Sequence, residues 1–170
     1  MNKRAAISSE ESRFLLSFLE SPSYAFSLVE RLLSKLAAVS SFRAHSAIPE
    51  VRRHFTAMFS SQMEALRPHL REIRAHRMDE GVKGELQKTY LKLRSISEAL
   101  SEFNTSQLKR RLEKGKNLAQ VIIKAIKRKF LKIYERKKER EKQLERARNS
   151  LRLKKPDEAI EIAEELILGE

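Results

Sequence analysis

The sequence predicts an all-α protein: a multi-helix body of five to seven helices, a long basic helix projecting from it toward the C-terminal end, and a short acidic terminal helix. Three observations carry that expectation. Only 4 Gly and 4 Pro punctuate 170 residues. No stretch alternates apolar and polar residues as a half-buried strand does. Apolar residues instead recur at three- and four-residue steps along most of the chain, the period of a helix with one buried face.

Ser8 and Glu11 have capping-box spacing and open a short helix carrying Phe14, Leu15, Phe18 and Leu19. Ser21 and Pro22 read as an N-cap followed by a proline at the first helical position, where its missing N–H removes no bond. The second helix carries Phe26, Val29, Leu32, Leu33, Leu36 and Val39. A loop is expected from Ser40 to Ile48, with Pro49 as a second first-turn proline. Val51, Phe55, Met58, Phe59, Met63 and Leu66 then keep helical spacing, and Leu70, Ile73 and Arg77 continue it past Pro68. A proline inside such a pattern removes one hydrogen bond and crowds the preceding turn, so a kink or break is expected there. Asp79, Glu80 and Gly81 are expected to end the element. Leu86, Tyr90, Leu93, Leu100 and Phe103 form a near-heptad seam on the next helix.

Asn104 or Thr105 is expected to cap a long helix running from about Ser106. At about 100° per residue, Leu108, Leu112, Ala119, Ile122, Ile123, Ile126, Phe130, Ile133 and Tyr134 share one arc. Between Lys137 and Glu141 that arc carries Lys137, Arg140 and Glu141, and apolar residues resume only at Leu144, Ala147 and Leu151. The helix is therefore expected to leave the core near Glu135. Residues 1–134 would be the body, 135–155 the projecting basic helix continuous with it, and 156–170 the acidic end. Pro156 and Asp157 open that last helix, which has Ala159, Ile160, Ala163 and Leu166 or Ile167 on one side. The phrase PDEAIEIAEELI resembles one helix of a tetratricopeptide repeat, a single unit from which no function is carried over.

Charge is distributed unevenly. The net charge of +13 divides into +4 over residues 1–104, +15 over 105–155 and −6 over 156–170. A segment with that excess cannot balance itself, and self-repulsion of this size fits a polyanionic partner. Opposite Ile126 on the long helix lie Lys124, Lys127, Arg128, Lys132, Lys138, Lys142 and Arg146, at steps able to follow a phosphate backbone and release its counterions. Arg67, Arg71 and Arg74, at i, i+4 and i+7, form a second basic stripe whose guanidinium forks suit phosphate oxygens. A solvated face threaded with pairs such as Arg136 with Glu139, or Glu145 with Arg148, is the plainer account of the first stripe. Pairing of the second with Glu64, Glu72 or the acidic end is its counterpart.

Other chemistry has little support. Cys is absent, which removes thiolate catalysis, disulfides and Cys-ligated zinc. There is no Gly-rich phosphate loop, HExxH or Gly-x-Ser-x-Gly, so a nonenzymatic chain without a cofactor is expected. His69, Glu72 and His76 share a helix, but the two histidines stand two turns apart, so no metal site is expected. Aromatic residues follow the apolar stripes, which favours contact with backbone over base stacking. No apolar stretch is long enough to span a bilayer. The opening residues lack the apolar run of a secretion signal, and an intracellular or virion location is expected. Binding to nucleic-acid backbone is thus the expected function, as a coating, packaging or ribonucleoprotein subunit. An interaction scaffold built on the long helix is the alternative, and binding to anionic membranes the third. Leu144, Ala147 and Leu151, beyond the core, call for a second copy to bury them, and a homo-oligomer is expected.

Overall fold

A computed structural model describes residues 4–39, 42–106, 108, 117–152 and 156–168. Its long elements are all helical: α1 Ser9–Glu20, α2 Pro22–Ala38, α3 Phe42–Leu66, α4 Leu70–Ala75, α5 Glu80–Ser101, α6 Leu118–Arg152 and α7 Pro156–Leu168. The chain divides into two compact units, 1–131 and 132–170, with the boundary inside α6.

Local chemistry sets the ends of these helices. The Ser8 hydroxyl accepts the Glu11 backbone N–H at 3.1 Å and starts α1. Ser21 precedes Pro22 at the start of α2, as the dipeptide implies, although the serine side chain makes no capping bond. Pro68 breaks regular winding: Arg67–His69 form a 3₁₀ turn between α3 and α4, as expected where a proline cannot donate to the preceding turn.

Three expectations are corrected. Pro49 does not open a helix, because α3 already begins at Phe42 and runs through it. Ala47 is buried in the core and Ile48 packs against it, in step with Val51 and Phe55, so apolar burial extends the helix upstream of the proline. Secondly, Asp79, Glu80 and Gly81 do not end a helix. α4 stops at Ala75, His76 adopts the left-handed conformation with φ 55°, and Asp79 is the N-cap residue of α5, whose first turn contains Glu80 and Gly81. Thirdly, the long helix is not continuous from Ser106. It starts at Leu118, where the Asn117 side-chain carbonyl accepts the Gln120 N–H at 3.3 Å. Leu112 lies outside the described residues.

The left-handed His76 also makes room for an element too short to be read from the sequence. Arg4–Ala6 pairs antiparallel with Arg77–Asp79, Ala5 opposite Met78. The Ile7 N–H donates to the His76 carbonyl at 3.3 Å, and the buried Met78 and Ile7 fix the pair to the body.

The core of the first unit is built from α1, α2, α3, α5 and the first half of α6. Phe18, Phe55, Phe59, Leu32, Leu36, Leu93, Leu100, Ile122 and Ile126 are fully buried. Phe18 stacks on Phe59 with centroids 5.8 Å apart, and Phe14 meets Tyr90 edge-on at 5.2 Å. Beside that pair Arg94 donates to the Tyr90 hydroxyl and pairs with Glu10 at 2.9 Å, tying α5 to α1. Burial pushes the Tyr90 hydroxyl above the ordinary tyrosine range, while the Arg94 hydrogen bond pulls the other way. α1 is held to α4 by the buried Ser12 hydroxyl, which donates to the Ile73 carbonyl.

Truncating Phe59 to Ala should lower unfolding free energy by about 3–5 kcal/mol, since the transfer and cavity contributions add at a fully buried ring. Urea unfolding of the variant and the parent chain measures this, with an unchanged m-value confirming that the compact state is otherwise kept.

Candidate nucleic-acid interface

α6 is positioned by its apolar face. Ala119, Ile122, Ile123 and Ile126 belong to the core cluster, and Phe130 packs against it. Two polar contacts brace the same stretch. The Gln120 amide donates to Glu50 of α3 at 3.1 Å, and the Lys129 ammonium donates to the Glu102 carbonyl, just past α5, at 2.6 Å. With that face committed, Lys124, Lys127 and Arg128 are left exposed on the first unit.

In the second unit, α6 continues from Lys132 to Arg152, a length of roughly 30 Å at 1.5 Å per residue. Ile133 is buried there, and Lys132, Lys138, Lys142 and Arg146 are exposed. Among the described residues none of these seven α6 cations forms an ion pair, and neither Arg136 with Glu139 nor Glu145 with Arg148 makes one. The exposed cations are thus not committed to partners along their own helix, which raises their availability to an external anion.

The second stripe is differently arranged. All three arginines are exposed. The 3₁₀ turn at Arg67–His69 changes the winding between Arg67 and the other two. Arg67 pairs with Glu64 at 3.0 Å, and Arg74 grips Glu20 of α1 with Nε at 3.0 Å and a terminal nitrogen at 2.9 Å. A forked contact of this kind orients the guanidinium toward its own chain. Arg71 makes no ion pair among the described residues.

Arg52 and Arg53, overlooked in the sequence, border a shallow concavity on α3 with Pro49, Thr56, Ala57 and Ser60. Arg52 is bound to Glu30 at 3.1 Å, whereas Arg53 makes no ion pair among the described residues. The signal was an adjacent arginine pair on the polar side of an amphipathic helix, obscured by assigning the preceding residues to a loop.

The histidines do not assemble a metal centre: no group of His, Asp and Glu among the described residues can hold an ion. His76 is occupied as the left-handed residue after α4. His54 on α3 is the one whose titration is displaced. Partial burial, then the nearby Lys127 charge, hold its pKa below the ordinary histidine value, with Glu50 opposing. Its Nε2 is buried without a hydrogen-bond partner among the described residues, an arrangement that tolerates neutral imidazole better than imidazolium. No described helix is long and apolar enough to cross a membrane.

A depressed folded-state pKa means that the unfolded chain binds this proton more readily, so stability rises with pH through the window below about 6.5 and is lost as pH falls through it. Acidification from neutral pH should therefore lower stability, and His54→Gln should remove part of that dependence. Denaturation at a series of pH values measures the first effect. The same series on His54→Gln measures the second, and histidine NMR titration of Lys127→Met, in which the His54 pKa should rise, isolates the contribution of the lysine charge.

No protein-family model matches the chain, and neither a curated protein nor a solved structure shows significant similarity to it.

Proposed function

We propose that this is a nonenzymatic nucleic-acid-binding protein that contacts the phosphate backbone, with a structural role in coating or packaging DNA or RNA or as a helical subunit of a ribonucleoprotein. The observation that supports it most directly is the set of exposed α6 cations that make no ion pair among the described residues: Lys124, Lys127 and Arg128 in one unit and Lys132, Lys138, Lys142 and Arg146 in the other. Lysine and arginine on a helix surface attract phosphates of either nucleic acid, and each engaged phosphate releases counterions. Arg71 and Arg53 are secondary contacts in this reading. Arg67 and Arg74 would first have to exchange an internal carboxylate for phosphate.

Aromatic placement supports backbone contact over base recognition. Phe14, Phe18, Phe55 and Phe59 pack with one another, with Tyr90 or with the rest of the core. A stacking platform needs aromatic faces beside the cations, open to bases.

Titration of the chain with double- and single-stranded DNA and RNA at several salt concentrations tests the proposal. The expected result is affinity that falls with salt at a logarithmic slope of about −0.9 per engaged phosphate on duplex DNA. Replacing Lys132, Lys138 and Lys142 by Glu should reduce that slope by at least ~3 when all three make contact. Binding that is absent at low salt, or indifferent to salt, refutes the proposal. Should the triple variant bind as before but lose self-association, the scaffold role of the long helix is favoured.

A further inference from the structure

The second unit exposes large apolar residues where a chain this charged has little reason to. Leu144 and Leu151 on α6 are 44% and 60% exposed, and Ile160 and Ile167 on α7 are 55% and 72% exposed. Their spacing is shared: Leu144, Ala147 and Leu151 on one helix, Ile160, Ala163 and Ile167 on the other, each large–Ala–large at steps of three and four. That is the seam of a helix that packs on another helix, with alanine opening the gap into which a partner's large side chain fits. Both stripes are exposed in one and the same chain, so neither covers the other. α7 has already turned a different side inward, where Ala159 is buried and Ile162 and Leu166 are partly covered.

The two stripes differ in charge at the residue after the central alanine and in the net charge of the segments that hold them. Directly after its central alanine the α6 stripe has Arg148, with Arg152 one turn on and Glu141 and Glu145 preceding it on the same side. At the equivalent position the α7 stripe has Glu164, with Asp157 and Glu161 preceding it on the same side. Along the unit, residues 132–155 hold 11 Lys/Arg against 4 Asp/Glu, and residues 156–170 hold 6 acids and no base. Pairing α7 with α7 would join two wholly acidic flanks, and pairing α6 with α6 would join two segments of net positive charge. Unlike stripes match in shape and bring segments of opposite net charge together.

We infer that two copies of this chain associate through their second units, the Leu144–Ala147–Leu151 stripe of each receiving the Ile160–Ala163–Ile167 stripe of the other. The contact is isologous and closes as a two-fold dimer, because each chain donates one stripe of each kind. Antiparallel helices place Arg148 beside Glu164 of the second copy, and the symmetry makes that pair twice. At about 100° per residue, Lys138, Lys142 and Arg146 fall on the opposite side of α6 from the stripe and stay outside the contact. The dimer is therefore independent of the nucleic-acid reading, yet it would present two sets of cations to one polyanion.

Sedimentation equilibrium of the full chain, freed of nucleic acid, reads the assembly directly. The expected result is a concentration-dependent species of twice the 19.8 kDa chain mass. Leu144→Arg with Leu151→Arg, and separately Ile160→Arg with Ile167→Arg, should each yield monomer with unchanged far-ultraviolet circular dichroism. Arg148→Glu should weaken association severalfold, and adding Glu164→Arg to the same chain should restore it. A parent chain that stays monomeric overturns the proposal, as does a dimer that survives either apolar double variant. If an apolar variant loses helix content, the Arg148 and Glu164 exchange decides: failure of the second charge reversal to restore the dimer overturns the pairing.

Discussion

Burial of Ala119, Ile122, Ile123 and Ile126 in the first unit governs how the basic segment meets its surroundings. A helix rich in lysine and arginine has no intrinsic orientation, and its charges would otherwise be averaged over every rotation about its axis. Removing an isoleucine or similar side chain from water is favourable by about 1.5–3 kcal/mol. That is more than any single exposed ion pair contributes, so the apolar face decides the rotation and the cations follow. Asn117 fixes where the helix begins, and Gln120 and Lys129 fasten it to α3 and to the end of α5. Lys124, Lys127 and Arg128 point outward because these contacts leave them no other direction.

The two units differ in how they handle charge. Residues 1–131 contain 25 Lys/Arg against 13 Asp/Glu, whereas residues 132–170 contain 11 against 10. The second unit is close to neutral in total and strongly polarised along its sequence. Polarisation without net charge suits a surface that must recognise its own complement, since attraction is strong in one register and repulsion strong in the wrong one. The first unit carries the net excess, which favours encounter with anions over longer distances than any pairwise contact reaches. Screening at physiological salt limits that reach to about 8 Å.

Much of the helical layout was legible because apolar periodicity is a direct record of burial. Phe55, Phe59, Leu93, Ile122 and Ile126 occupy the core positions their spacing implied. Misreadings arose where local rules met tertiary packing. Pro49 has the chemistry of a helix start, but Ala47 and Ile48 gain more from joining the core than the helix loses at one absent N–H. Gly81 looks like a terminator, yet it sits in the first turn of α5, where its N–H needs no intrahelical partner. The Arg4–Ala6 strand offers three residues and no period, and it exists because a partner about 70 positions away has an unpaired edge. Exposure of the candidate cations follows from the same periodicity. Internal ion pairs such as Arg74 with Glu20 do not, since they join residues that only the fold brings together.

The strand pair has a kinetic meaning as well. Closing a loop of about 70 residues for a few backbone hydrogen bonds is an unfavourable exchange, because the entropy lost is not recovered until flanking contacts form. α1 and α4 lie within that span, and the buried bond from Ser12 to the Ile73 carbonyl joins them. Once it has formed, Ala5 and Met78 are separated only by the short arms on either side of it, and pairing becomes a local event. The strands are thus a clasp that zips shut behind helix docking, and they report that docking is complete without having driven it.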